Sequence, residues 1–151
     1  KEAIADTKFW QHNVNSSILY QWGGTAFEEI CFLHIGQIKN ALGMGAVQSE
    51  ASPFTLRGTV EHDGLQCDMI ISRADRIVNL CEMKYSMDEY SIDKTYDRIL
   101  RNRMEAVREK LRKTQKLHLT FVTTFGVKHN MYSGCVQSEV TLDDLFEPSG
   151  M

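Results

Sequence analysis

Two short apolar runs joined by a polar turn constrain the fold of this chain more than any other feature. The runs cover residues 65–72 and 77–84, and both are rich in apolar and β-branched side chains, while residues 73–76 are polar turn formers. This pattern predicts a β-hairpin. If Ser72 pairs with Val78 across the turn, Asp68 lies opposite Glu82 in the neighbouring strand.

The predicted register gathers three charged residues on one patch. Side chains alternate between the two faces of a strand, so Lys84 is expected on the same face as Glu82, beside Asp68. Two carboxylates directly opposed on a sheet are unfavourable unless something positive lies between them, and a divalent cation is the obvious candidate. The alternative is a surface salt bridge between Asp68 and Lys84 on a half-exposed hairpin.

The composition is that of one ordinary globular domain. The chain has 151 residues, of which 42% are hydrophobic and 25% charged, and it contains no apolar run near the roughly 18 residues that a membrane helix needs. Its acidic start does not resemble a signal peptide. The cysteines lack metal-ligand spacing and are interpreted as buried thiols of a reducing compartment, which predicts a cytoplasmic protein. They are Cys31, Cys67, Cys81 and Cys135.

Charge is distributed unevenly along the chain. The net charge is −3, yet residues 94–116 carry +6, so the remainder carries −9. A basic segment of this kind can bind a phosphate backbone, and Lys94, Arg98 and Arg101 are the candidate nucleic-acid contacts. The alternative is a solvated helix face with no partner.

The order of elements predicts an α/β fold with a mixed central sheet of about four to five strands flanked by helices. Residues 1–22 are expected to be irregular and residues 43–53 to form a loop. The expected helices are residues 25–42 and 92–113, with a last helical turn at 142–146. The expected strands are residues 54–60, the two hairpin runs, 116–125 and 135–142, with a turn at 61–64.

Glu28 has two interpretations. Thr25 and Glu28 match a capping box, in which Thr25 is the N-cap and the Glu28 side chain reaches back to it. Alternatively, Glu28 is a third carboxylate leaning over the hairpin patch. The chain contains no glycine-rich phosphate loop ending in Gly-Lys-Ser/Thr, so it does not bind ATP by that route.

These segments together resemble the PD-(D/E)XK nuclease superfamily. The resemblance rests on residues 64–75 (GLQCDMIISRAD) and 77–86 (IVNLCEMKYS), with support from residues 24–43, 119–126 and 140–146. More narrowly, the chain is similar to the C-terminal domain that follows a P-loop, AAA-type ATPase module in archaeal and bacterial ATPases. The likeness spans residues 8–146, although Cys67 stands where the proline of the superfamily name would be.

The resemblance implies a restriction-endonuclease-like core and particular residue roles. Glu28, Asp68, Glu82 and Lys84 would be the catalytic residues. Asp68, Glu82 and the backbone carbonyl of Met83 would hold Mg²⁺ or Mn²⁺, with Glu28 as a further ligand.

The resemblance also implies a function and a context. The expected activity is metal-dependent hydrolysis of phosphodiester bonds in nucleic acid, with DNA as the expected partner and no membrane. Residues 1–22 would link residues 23–151, the nuclease-like domain, to an ATPase domain covalently attached in the full-length protein. The alternative is a catalytically silent nuclease-fold module that docks another protein or binds DNA without cleaving it.

Overall fold

The computed structural model describes residues 17–56 and 65–148. The helices are α1 (Ser17–Leu33), α2 (Ile35–Ala41), α3 (Lys94–Lys110) and α4 (Leu142–Leu145), with a 3₁₀ turn at Ser133–Cys135. The strands are β1 (Ser49–Leu56), β2 (Leu65–Arg73), β3 (Ile77–Lys84), β4 (Lys116–Thr123) and β5 (Ser138–Thr141). None of the helices in these two stretches has the length and apolar character needed to span a membrane.

The strands form one mixed sheet in the order β1-β2-β3-β4-β5. The first three strands are antiparallel to one another, whereas β4 and β5 run parallel to β3. The predicted α/β class with a mixed sheet of up to five strands is confirmed. β3 occupies the centre and is buried over all but its two end residues, so it does not belong to a half-exposed hairpin.

Alternating side chains of β3 contribute to two separate apolar clusters. Val78 and Leu80 pack in a cluster that includes the buried residues of α3. Cys81 and Met83 belong to the other cluster, which includes the buried residues of α1. Because successive side chains of a strand point to opposite faces, α1 and α3 cover opposite faces of the sheet.

The hairpin has the predicted register. Ser72 pairs with Val78, and the pairing continues to Met69 opposite Cys81. Arg76 closes the turn with a left-handed backbone (φ 68°), and its carbonyl accepts a hydrogen bond from the Lys116 amide at 2.8 Å. The turn is therefore tied to the start of β4, which fixes the hairpin against the parallel half of the sheet.

β1 begins earlier than the sequence pattern predicts. It starts at Ser49, and the register shifts between Ser52 and Phe54, so Pro53 lies where β2 has one extra residue. A proline has no amide hydrogen to donate and is tolerated at such irregular positions of an edge strand. The predicted loop is confirmed for residues 43–48, and the prediction was wrong for 49–53, which belong to β1. The predicted end of this strand and the turn at 61–64 fall outside the described residues.

The first helix also differs from expectation. The predicted helix over residues 25–42 is present as α1 and α2, but it begins earlier, at Ser17, and is interrupted at His34. The helix runs through Gly23 and Gly24, so the irregular structure expected at 17–22 was wrong. Thr25 lies inside the helix rather than at its N-terminus, so the capping-box interpretation of Glu28 was also wrong. A glycine is required at Gly23 because a Cβ there would come within 2.6 Å of the Tyr85 ring.

The other elements match their predictions with shorter bounds. α3 begins after Asp93, whose carboxylate accepts a hydrogen bond from the Tyr96 amide at 2.7 Å, a standard N-cap contact. The last strand is short, and the 3₁₀ turn takes the place of its predicted start. The final helical turn begins with a capping box between Thr141 and Asp144.

The close approach of α1 to the end of β3 predicts opposite effects at two adjacent glycines. Gly24→Ala should stabilise the protein by about 1 kcal/mol, because alanine favours the helix and nothing lies within 4 Å of the new Cβ. Gly23→Ala should destabilise it, because the Tyr85 ring must move. Urea unfolding of the two variants measures this, and equal stabilisation by both would contradict the packing described.

Candidate active site

The sheet forks beside the Glu-x-Lys segment. Within the described residues, pairing between β2 and β3 covers Met69–Ser72 and Val78–Cys81 and ends there. β3 nevertheless stays paired with β4 as far as Lys84 opposite Thr123, while the start of β2 stays paired with β1. Residues 82–84 therefore lie where the sheet loses its continuity on the β2 side, and a cleft can form there.

Asp68 lies on β2, one residue beyond the last pair with β3, which is Met69 opposite Cys81. Its position opposite Glu82 stays a prediction. β2 has one more residue than β1 at this point, since Ser52 pairs with Ile70 and Phe54 with Cys67, so strand alternation does not fix the face of Asp68. The Asp68 side chain lies outside the described part of the structure, as do those of the neighbouring residues 65–67.

Glu82 is a buried carboxylate held by α3. Its side chain is 1% exposed, and its Oε1 accepts a hydrogen bond from Arg103 Nη1 at 2.9 Å. Its Oε2 lies 3.5 Å from the hydroxyl of Tyr96, which is a weak contact. A charge this deeply buried is costly unless it is paired, so Arg103 makes the burial of Glu82 possible.

Lys84 lies on the same face, as predicted. Its Nζ is 5.0 Å from the centroid of the Tyr96 ring, within the range of a cation–π contact. Arg103 approaches the same ring at 6.0 Å. Tyr96 thus lies among Glu82, Lys84 and Arg103 and contacts all three. The pKa of its hydroxyl is raised far above the ordinary value, first by burial and then by the nearby Glu82 charge.

The fit of this site to a divalent cation is partial. Carboxylate and carbonyl oxygens are the ligands that Mg²⁺ prefers, and Glu82 offers one carboxylate, whereas a second one from Asp68 stays a prediction. Among the side chains that the structure describes, no group of three or more His, Cys, Asp or Glu is close enough to hold a metal. Arg103 already engages Oε1 of Glu82, so a cation on that oxygen would meet a positive group.

Glu28 is not on the same side of the sheet as Glu82. It is half-buried on α1, and its neighbours Phe27 and Cys31 pack in the cluster on the other face. α1 meets the end of β3 at Tyr85, next to Gly23. The Glu28 carboxylate can therefore reach Glu82 only by passing the end of the sheet.

The candidate nucleic-acid contacts form their own stripe on α3. Lys94, Arg98 and Arg101 recur at helical spacing and are exposed, and Arg101 also pairs with Asp97 at 3.1 Å. The stripe of α3 that faces the sheet contains Leu100 and Val107. The basic residues are two positions away from it along the helix, which corresponds to a rotation of about 200° around the helix axis. The stripe that could bind a phosphate backbone and the buried carboxylate therefore lie on opposite sides of α3.

Two residues of the site were missed as functional groups in the sequence. Tyr96 was interpreted only as part of the apolar stripe of α3, and Arg103 was counted only in the basic segment. A signal was nevertheless present, since Arg103 falls between Leu100 and Val107 in that apolar stripe. An arginine at such a position needs a buried acidic partner, and Glu82 is that partner.

Comparisons with known proteins add little to this geometry. No protein-family model and no curated protein matches the chain. A solved structure titled as a protein of unknown function, AF1548, is similar at 13% sequence identity with a TM-score of 0.45. The match covers 76% of this chain and 64% of that one, so this chain spans less than two thirds of its length. The likeness is too distant to carry an argument about function.

The buried ion pair predicts a large effect on stability. Arg103→Ala should lower the free energy of unfolding by about 3 kcal/mol, because it leaves the Glu82 carboxylate buried without its counter-ion. Arg101→Ala, in the exposed pair with Asp97 on the same helix, should cost less than about 1 kcal/mol. Urea unfolding at neutral pH measures both, and similar effects for the two variants would contradict the role given to Arg103.

The environment of Tyr96 predicts a pH dependence above pH 10. Its pKa is raised in the folded protein above the ordinary value of 10.0, so the unfolded chain ionises first and stability falls as the pH rises past 10. Tyr96→Phe should therefore lose less stability between pH 8 and pH 11 than the wild type. Denaturant unfolding at both pH values measures the difference, with pH 8 as the reference, and equal losses would be the contrary result.

Proposed function

We propose that this chain is a divalent-metal-dependent phosphodiester hydrolase of the PD-(D/E)XK type. It acts on nucleic acid, with DNA as the expected substrate, and belongs to a larger cytoplasmic ATPase. The observation that carries the proposal is the fork in the sheet. There, Glu82 and Lys84 share one face of β3, next to the point where pairing with β2 ends, and Asp68 would face them from β2.

The proposal gives each acidic residue a role. Asp68 and Glu82 would bind Mg²⁺ or Mn²⁺ from two strands, and the Met83 carbonyl would be a third oxygen ligand. The cation, when bound, lowers the pKa of a coordinated water and offsets charge on the scissile phosphate. Glu28 would add a carboxylate from α1 around the end of the sheet.

Lys84 would be the positively charged catalytic residue of the hydrolase. Tyr96 holds the ammonium above its ring, and the phenol itself stays neutral because its pKa is raised. Lys84 would orient the attacking water, assist its deprotonation and stabilise the negative charge of the transition state.

The exposed stripe of α3 would hold the substrate backbone. Lys94, Arg98 and Arg101 are accessible to solvent and would contact phosphates without reading bases. A cavity of about 450 Å³ lies among these three side chains and Tyr132. Because this stripe faces away from Glu82, a strand that it binds must pass around α3 to reach the fork.

One observation favours a second function, that of a catalytically silent nuclease-fold module. Arg103 neutralises Glu82 from within the protein, so the carboxylate is stable without a metal. Such a module would dock a partner protein or bind DNA through the basic stripe without cleaving it. Glu82→Gln would then leave DNA affinity and its salt dependence unchanged, and Mg²⁺ would have no effect on either.

Cleavage of nucleic acid tests the proposal. The wild-type protein, alone and within the full-length ATPase supplied with ATP, is incubated with single- and double-stranded DNA and RNA in the presence of Mg²⁺ or Mn²⁺. Asp68→Ala and Lys84→Ala should each reduce the rate at least about a hundredfold, the scale expected for loss of a catalytic group. The exposed Lys128 gives a control, since Lys128→Ala should cleave as the wild type does.

Two results would refute the hydrolase. One is absence of metal-dependent cleavage on every substrate form by both proteins. The other is unchanged cleavage by the Asp68 and Lys84 variants, which would indicate a contaminating nuclease. Circular dichroism of each variant is needed as a control, so that lost activity is not confused with a lost fold.

A further inference from the structure

Arg103 contacts the carboxylate that the proposed function assigns to a metal. It lies in the middle of α3, on the stripe that faces the sheet, and its side chain is only 16% exposed. Its Nη1 is 2.9 Å from Oε1 of Glu82, which is a charge-assisted hydrogen bond of ordinary length. The contact joins the central strand to the helix that covers it.

Arg103 and a metal would compete for this carboxylate. A Mg²⁺ ion binds a carboxylate oxygen at about 2.1 Å, and a guanidinium at hydrogen-bond distance from the same oxygen places a second positive charge near the ion. Two positive charges near each other repel in a buried site. Binding of the ion through Oε1 of Glu82 therefore disfavours the contact with Arg103.

The surroundings make such an exchange possible. The charge of Glu82 stays compensated whichever cation is bound, so the buried carboxylate is not left alone after the exchange. Arg103 also lies 6.0 Å from the Tyr96 ring, so the displaced guanidinium has an aromatic face beside it. Glu82 can in this way change partners while the core around it stays packed.

We propose that Arg103 is a built-in competitor of the metal, which holds Glu82 until a divalent cation displaces it. The inference rests on the proposed function, because the competing cation is the one the hydrolase would use. It adds a regulatory consequence to that function. The site binds metal weakly at rest, and metal entry is coupled to movement of a side chain on the helix that also carries the basic stripe.

Metal affinity in a matched pair of variants tests the competition. Arg103→Gln removes the competing charge and keeps a hydrogen-bonding side chain, whereas Arg108→Gln removes an exposed arginine of the same helix. Calorimetric titration with Mg²⁺ or Mn²⁺ should give at least about tenfold tighter binding to the Arg103 variant than to the wild type, the scale of one charged hydrogen bond. The Arg108 variant should bind as the wild type does.

Thermal unfolding gives a second measurement that does not depend on activity. Without metal, the Arg103→Gln variant should melt below the wild type, and added Mg²⁺ should raise its melting temperature more than that of the wild type. The double variant that also carries Glu82→Gln should lose this extra rise, because the carboxylate that binds the ion is gone.

A measurement on the wild type covers the case in which Arg103→Gln does not fold. The side-chain N–H signal of Arg103 in a ¹⁵N NMR spectrum should shift during titration with Mg²⁺, and the shift should disappear in Glu82→Gln. An Arg103 signal that stays unchanged while Mg²⁺ is shown by calorimetry to bind would overturn the competition.

The outcomes separate this inference from the hydrolase itself. Equal or weaker metal binding by Arg103→Gln, with binding still lost in Glu82→Gln, would overturn the competitor role and leave the metal site in place. No binding to wild type or variant at millimolar metal would remove both proposals and favour the silent module.

Discussion

The ion pair between Glu82 and Arg103 is the interaction on which the site depends. Glu82 is buried in the centre of the sheet with 1% of its side chain exposed, where a carboxylate without a partner would be expelled or protonated. Arg103 supplies the compensating charge from α3, and Tyr96 packs beside both. This one contact both holds α3 on the sheet and balances the charge of the site. A substitution of either Glu82 or Arg103 is therefore expected to change the stability of the protein and the charge of the site.

The fork in the sheet lies beside this contact. Pairing between β2 and β3 ends at Met69 and Cys81, while β4 still pairs with β3 as far as Lys84. Glu82 and Lys84, which share one face of β3, therefore lie just beyond the last pair with β2. The proposed function uses this arrangement, and an ion pair that only stabilises the packing of α3 is the structural alternative.

The parts of the fold that follow from local pattern could be predicted from the sequence. Alternating apolar runs and a polar turn were enough for the hairpin register, and apolar spacing was enough for α3. The start of α1 could not be read in this way, because Gly23 is present to admit the Tyr85 ring and not to end a helix. The start of β1 was hidden similarly, since Pro53 lies at a bulge. Both features depend on neighbours distant in the chain.

The candidate site was predictable in its strand residues and not in its helix residues. Glu82 and Lys84 are marked by their position at the end of an apolar strand, whereas the pairing of Arg103 with Glu82 depends on how α3 packs across the sheet. A crystal grown with Mn²⁺ tests the account most directly, through the anomalous scattering of the ion. The account predicts an ion bound by the carboxylates of Asp68 and Glu82, with Arg103 moved beyond hydrogen-bond distance of Glu82. An Asp68 side chain on the opposite face of the sheet, with no ion at the fork, would contradict it.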